Sequence, residues 1–163
     1  MTDKIIIREA HMGDSAGAAV LNVETFKAEF DFTTDFERDV LNSFSEYAGG
    51  LKYLSMLWVA ECDGRIVGSV SIFGRGKNEG QLRWFCVTPD LQYKGIGTRL
   101  LKTALDFCES NGYDNIFLWT IDILKPAIHL YKKFGFRSVV ERENTEWSAS
   151  KTLVDIKMIK GYN

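Results

Sequence analysis

The chain has 163 residues, 45% hydrophobic and 13% aromatic, with twenty basic against twenty-two acidic side chains for a formal net charge of −2. That length suits one domain with a sizeable core, read here as a single domain over 1–163, and the composition excludes disorder and low complexity. A near-balanced charge without a block of one sign excludes a phosphate-tracking surface, so no nucleic acid partner is expected.

The first residues, MTDKIIIREA, hold only three consecutive isoleucines. That is too few for a signal-peptide core, and no later run approaches the length of a bilayer crossing, so a cytoplasmic protein without a membrane partner is expected. Lys4 to Glu9 is short and β-branched and reads as an opening strand, after which Asp14 or Ser15 can cap a helix to about Lys27. Thr34-x-x-Glu37 has the form of a capping box, and Phe36, Val40, Leu41, Phe44 and Tyr47 recur at helical spacing until Gly49-Gly50. Leu57 to Cys62 and Ile66 to Phe73 flank Asp63-Gly64, the signal of a two-residue hairpin. Gln81 to Thr88 (QLRWFCVT) is a further strand cut off by Pro89. From Gly95 the period turns helical, with Leu100, Leu101, Ala104, Leu105 and Cys108 on one side and Asn111-Gly112 at the end. Asn115 to Thr120 (NIFLWT) reads as a strand, Lys125 to Phe134 as a short helix with Pro126 in its first turn and Gly135 past its end, and Arg137 to Glu143 and Leu153 to Ile159 as the last strands. The order is β-α-α-β-β-β-α-β-α-β-β, a mixed α/β sheet with a parallel strand-helix-strand unit near its centre. Cys62, Cys86 and Cys108 are odd in number and far apart, so they suit neither a disulfide framework nor a metal pair; small core residues and no metal are expected.

Leu91 to Gly97 reads LQYKGIG and opens the third helix. A helix N-terminus offers unpaired N–H groups and a partial positive charge, and glycines let an anion approach the backbone. It is neither a Walker loop nor a dinucleotide fingerprint, since the third glycine of G-x-G-x-x-G is Leu100 here. On the residues alone, phosphate binding and mere close packing of strand on helix both stand.

Gln92-Tyr93-Lys94-Gly95-Ile96-Gly97 resembles the Q/R-x-x-G-x-G/A signature of the GCN5-related N-acetyltransferase (GNAT) superfamily. Downstream, Ala127-Ile-His-Leu-Tyr131-Lys-Lys-Phe-Gly135-Phe136 resembles its A-x-x-x-Y-x-x-x-G-F segment. The closer resemblance is to the acetyltransferase half of MarR-acetyltransferase fusion proteins, through LRWFCV, GY-x-x-I-x-LWT and the FE-x-x-V of Phe36 to Val40. The resemblance implies a GNAT fold with a splayed central pair of parallel strands, acetyl-CoA as cosubstrate, and transfer to a primary amine of a small molecule, amino acids included. Acetylation of a protein at a lysine or N-terminus, and a non-catalytic acyl-CoA-binding sensor module, are the alternatives. It also implies that the N–H groups of Gln92, Tyr93, Lys94, Gly95, Ile96 and Gly97, with Thr98, hold the pyrophosphate, and that the backbone of Phe85, Cys86 and Val87 pairs with the pantetheine arm like an added strand. A homodimer is compatible with the sequence, which carries no signal for oligomeric state.

A lysine-like amine has a pKa near ~10.4, which leaves about one part in a thousand neutral near pH 7.4, so acetyl transfer needs a route for the amine proton. A departing thiolate needs a proton in return, and Tyr131 occupies the family's tyrosine position for that donation. As a bland alternative, Tyr131 belongs to an apolar stripe with Ala127, Leu130 and Phe134. The glutamate that histone-type members carry on the strand before the loop falls at Gln81, which cannot take a proton. Glu79, two residues earlier, is the candidate base if the strand begins that soon and shares its parity, and otherwise reads as a loop carboxylate; Glu24 and Glu29 are the alternative bases. Arg83 shares that parity and can greet a substrate carboxylate or simply form an ion pair. His11 and His129 read as surface residues. Leu124 stands where the family often has an asparagine. Phe26, Phe30, Phe32 and Phe36 can line an apolar pocket or fill core.

Overall fold

The element order expected from the sequence is the order found in a computed structural model of the chain, which describes residues 4–161. The elements are β1 (Ile5–Glu9), α1 (Asp14–Glu29), α2 (Thr34–Ala48), β2 (Tyr53–Cys62), β3 (Arg65–Gly74), β4 (Glu79–Val87), α3 (Ile96–Ser110), β5 (Asn115–Ile121), α4 (Lys125–Lys133), β6 (Arg137–Asn144) and β7 (Leu153–Gly161). They form one seven-stranded sheet in the order β1-β2-β3-β4-β5-β7-β6. All pairings are antiparallel except β4 with β5, which α3 joins as a parallel pair.

Burial follows from residue type. IVGSVSIF of β3 is apolar or small at nearly every position because helices cover the sheet on both faces there, and all but the first two residues of the strand are buried. On one face Leu100, Leu101, Ala104, Leu105 and Cys108 of α3 pack with Val67, Val70, Leu82, Ile116 and Leu118. On the other, Ala18 and Ala19 of α1 and Phe36, Val40 and Phe44 of α2 pack with Leu57. No helix among the described residues is long and apolar enough to cross a membrane.

Three local expectations are corrected. The first helix is capped by Gly13 rather than by Asp14 or Ser15. The Asp14 carboxylate instead accepts the His11 N–H at 2.6 Å and an Arg8 N–H at 2.7 Å, tying the turn to β1. The Thr34-x-x-Glu37 capping box does not form. The N-cap is Thr33, one residue earlier, so Thr34 lies inside the first turn, and the Thr33 hydroxyl donates to the Glu146 carbonyl at 2.6 Å instead of accepting from the helix. Leu41 belongs to the helical stripe by spacing but is 53% exposed, because the sheet face under α2 is already filled by Phe36, Val40 and Phe44.

Leu101 is wholly buried, so Leu101→Ala removes apolar contacts and leaves a cavity. Denaturant unfolding is expected to show a loss of about 2–5 kcal/mol for Leu101→Ala and a change within about 0.5 kcal/mol for Leu41→Ala. Equal losses would contradict the assignment of Leu41 to the outer face of α2.

Candidate active site

The sequence QLRWFCV holds one residue more than its neighbour strand can pair. Ser71 lies opposite Arg83 and Ser69 opposite Cys86, so Trp84 and Phe85 together face Val70 alone. Trp84 takes φ 51°, a left-handed conformation uncommon for a bulky side chain. The carbonyls at this bulge are held by hydroxyls of β3: Ser71 Oγ donates to Arg83 at 2.8 Å and Ser69 Oγ to Trp84 at 2.7 Å. Buried Asn22 of α1 donates in turn to Ser69 Oγ at 3.1 Å and to the Ala18 carbonyl at 2.8 Å. The bulge bends β4, and β4 pairs with β5 only from Glu79 to Leu82. Beyond Leu82 the strands are unpaired, which gives the splay expected beside Phe85, Cys86 and Val87.

A cleft of about 320 Å³ occupies the splay, walled by Phe85, Cys86 and Val87 on one side and by Ala127, Leu130 and Tyr131 of α4 on the other. Gln92, Tyr93, Gly95, Gly97 and Thr98 form its rim. Gly95 sits at φ 82° as the N-cap of α3, a conformation that admits glycine without strain, and no side chain caps the helix. Arg99 N–H is the first of the helix to find a carbonyl, that of Gly95 at 3.1 Å. The N–H groups of Ile96, Gly97 and Thr98 are the orphan donors of the first turn. A Cβ on Gly97 would stand 3.1 Å from Phe85 Cζ, so glycine keeps this approach open. The Gln92 amide bonds the Val87 carbonyl at 3.0 Å and Glu29 at 3.2 Å, fastening the loop to the end of β4. Tyr93, Lys94 and Thr98 are exposed and the Ile96 side chain is buried.

On the other side of the bulge lies a second cavity of about 370 Å³, lined by Phe26, Phe32, Phe36, Trp84, Trp119 and Trp147 among apolar groups and by Asp39, Arg83, Arg142 and Asp155 among charged ones. Its roof is the segment between β6 and β7. Trp147 Nε1 donates to Asp39 Oδ2 at 2.8 Å, Thr33 N–H to the Trp147 carbonyl at 2.8 Å, and Ser148 Oγ to Asp31 at 2.8 Å. Phe26, Phe32 and Phe36 therefore serve both readings, as packed rings and as cavity wall, with Phe30 stacked behind on Phe26 and Phe32.

Tyr131 lines both cavities. Its ring packs on Phe85 and Phe136, so it does sit in an apolar stripe, yet its hydroxyl has no hydrogen-bond partner among the described residues. Burial, with the Cys86 thiol adding, pushes its phenol well above the ordinary tyrosine range. The proton stays on Tyr131 throughout the physiological pH range. Cys86 is the other reactive type at the junction. Burial, reinforced by the negative charge of Glu29 and opposed by the Ser69 hydroxyl, pushes its thiol up to about 12. A thiol so held is a poor nucleophile.

Glu79 is not brought to this junction. It stands exposed at the start of β4, opposite Asn115, and lines neither cavity. Glu24 is exposed and Glu29 belongs to the glycine-loop side. His11 and His129 are exposed, as expected, with His129 on the rim of the first cleft. Gln81 lines the second cavity and accepts Arg75 Nε at 2.8 Å, while Leu124 lines both. Sequence reasoning missed Asn22, Asp39 and Trp147. Asn22 is fully buried with its Oδ1 unpartnered, and Trp84 Nε1 and Thr120 Oγ1 in the same wall are also buried without partners. A lone buried Asn on a helix face was the available signal for the first; nothing local marks the other two.

Residues 19–136 match the model of the Acetyltransferase (GNAT) family. The chain is 35% identical over 82 residues to a probable N-acetyltransferase camello of Xenopus tropicalis, covering 49% of this chain and 37% of that protein. It is 34% identical over 91 residues to an N-acetylaspartate synthetase of Danio rerio, covering 55% and 32%. The chain thus spans about a third of the length of these curated relatives. A structure from Salmonella typhimurium solved with its cofactor acetyl-CoA superposes with a TM-score of 0.78 at 19% identity, covering 98% of this chain and 95% of that one. That likeness is one of fold.

All three cysteines are free and buried. Ellman's reagent at about pH 8 is expected to react negligibly with the native protein and to count three thiols after unfolding in guanidinium chloride. Rapid labelling of any native thiol would contradict the burial of the cysteine that reacts.

Proposed function

The chain belongs to the acetyltransferase (GNAT) family, which makes it an acyl-transfer enzyme, and from that premise we propose that it moves an acetyl group from acetyl-CoA to the primary amine of a small molecule, an amino acid first among the candidates. The observation that carries this reading is the unpartnered hydroxyl of Tyr131 in the wall common to both cavities. The roof tied down by Thr33, Trp147 and Ser148 favours a small acceptor over a protein segment. The name of the Danio rerio relative supports an amino acid. LRWFCV, GY-x-x-I-x-LWT and the FE-x-x-V of Phe36 to Val40 support a finer likeness to the acetyltransferase half of MarR fusions.

The first cleft fits the cosubstrate on its own features: orphan N–H groups at an uncapped helix start, an opening that a Cβ at Gly97 would narrow, and a strand edge left unpaired by the bulge. The N–H groups of Gln92 to Thr98 would hold the pyrophosphate with the charge of Lys94, and Phe85, Cys86 and Val87 would carry the pantetheine arm through their backbone. Acetyl-CoA supplies an activated acetyl thioester. Every other contribution comes from the chain. Tyr131 Oη keeps its proton and donates it to the departing sulfur. Asp39 is the carboxylate placed to take the amine's proton, through water. Asp155, the other one in that cavity, has both oxygens hydrogen-bonded, at 3.0 Å to Arg142 and 3.0 Å to Asn144, whereas Asp39 accepts the Trp147 indole on one oxygen and has Arg38 3.7 Å from the other, beyond hydrogen-bond length. The placement of Glu79 lends no support to its expected role as base.

Tyr131→Phe removes one hydroxyl, and kcat is expected to fall by about 10²-fold or more with CoA affinity unchanged by calorimetry. Full turnover in the variant would return Tyr131 to a packing role. Gly97→Asp adds a Cβ against Phe85 and a negative charge that suits the helix start but not a bound anion, so it is expected to weaken CoA by about 100-fold or more in the folded protein; unchanged affinity would overturn the placement of the pyrophosphate. Asp39→Asn is expected to lower kcat by about 10- to 100-fold with CoA affinity unchanged, whereas wild-type turnover in the variant would remove Asp39 from the proton route.

A further inference from the structure

Four charged residues line the second cavity, and three of them are spoken for. Asp155 is bonded by Arg142 and Asn144, Arg142 also stacks 4.2 Å over Trp119, and Asp39 takes the Trp147 indole. Arg83 is different. Its side chain is 24% exposed, and its nearest counter-charge, Glu46, stands 3.9 Å away with its carboxylate already taken by Arg75. Its guanidinium makes no hydrogen bond to any described residue. It sits over aromatic rings instead, 5.3 Å from the ring centres of Phe73 and of Trp84. Burial, with the neighbouring Arg75 adding, pulls its pKa down to about 10, so it remains a cation at neutral pH. A planar fork of five donors, largely buried, without a hydrogen bond and facing a cavity, calls for a bidentate oxyanion.

We infer that Arg83 is the specificity residue for the acceptor's carboxylate, and that the acceptor is an amino acid with an apolar side chain. The inference rests on the acetyltransferase reading above and names the substrate of that same site. A carboxylate is favoured over a phosphate dianion because Arg83 is the one underused cation in the lining while Asp39 and Asp155 repel added negative charge. A zwitterion meets both signs. Its ammonium faces the Asp39 carboxylate and the unpartnered Asn22 Oδ1 before deprotonation, and its carboxylate meets Arg83. The apolar body is accommodated by Phe26, Phe32, Phe36 and Trp84. Because Arg83 precedes the bulge residues Trp84 and Phe85, the pairing fixes the acceptor beside the splay where Tyr131 stands.

The test is steady-state acetylation of matched pairs, L-phenylalanine with phenethylamine and L-leucine with 3-methylbutylamine, by wild type and by Arg83→Met, with acetyl-CoA affinity measured by calorimetry for both proteins. Wild type is expected to favour each amino acid by about 100-fold or more in kcat/KM, since the decarboxylated amine leaves the guanidinium unpaired. In Arg83→Met the amino acids are expected to lose about 10- to 100-fold, mostly as a raised KM, while the decarboxylated amines change little and acetyl-CoA affinity is retained. Arg83→Lys is expected to fall between the two, because a point charge replaces the fork. Equal use of acid and amine by wild type, or an equal loss for both in Arg83→Met, would overturn the inference and leave the acetyltransferase reading standing. If wild type binds acetyl-CoA yet acetylates neither member of any pair, the small-amine reading itself falls and this inference with it.

Discussion

One extra residue in β4 governs the arrangement of the site. Because Trp84 and Phe85 together face Val70, the strand bends, its carbonyls leave the ladder, and its parallel partner departs after four paired residues. A bulge in the middle of a sheet strands polar backbone in a buried layer, where an unpaired carbonyl is costly. Ser69 and Ser71 answer that cost from the neighbouring strand, and Asn22 steadies Ser69 from the helix above. These three buried polar residues interrupt an otherwise apolar layer because the backbone there requires donors.

The two cavities follow from that bend. On one side the unpaired edge of Phe85 to Val87 and the bare start of α3 form a groove with backbone donors. On the other, Arg83 and Trp84 are turned toward the pocket roofed by Trp147. Tyr131 closes α4 against both. A phenol with no partner in a buried wall is an expense in a structural tyrosine and an asset in a proton donor. The same burial that holds its proton also disarms the Cys86 thiol.

Much of this was legible in the residues because it is local. Asp63-Gly64, the glycine loop and the helical stripes each carry their structure in a few neighbouring positions, and the observed elements begin and end within a few residues of the expected ones. The bulge was not legible, since QLRWFCV has the composition of a regular strand and the signal lies in the serines of β3 opposite. The caps at Thr33 and Gly13 escaped for a related reason: the Thr33 hydroxyl is turned to Glu146 and the Asp14 carboxylate to Arg8, partners remote from each helix start or outside it. Asp39 and Trp147, 108 positions apart, meet only because the segment between β6 and β7 folds back over α2. The expectation for Glu79 rested on strand parity alone, which says which face a side chain takes but not how far along the strand the cavity begins.

The central claim is that the bulge in β4 makes one continuous path, from the glycine loop past Phe85 to Tyr131, for a single cosubstrate. A crystal structure of the protein with CoA tests it most directly. The account predicts the pyrophosphate against the N–H groups at the start of α3, the pantetheine arm along the unpaired edge of Phe85 to Val87, and the sulfur within hydrogen-bond reach of Tyr131 Oη. CoA bound elsewhere, or bound in the cleft with its sulfur remote from Tyr131, would contradict it.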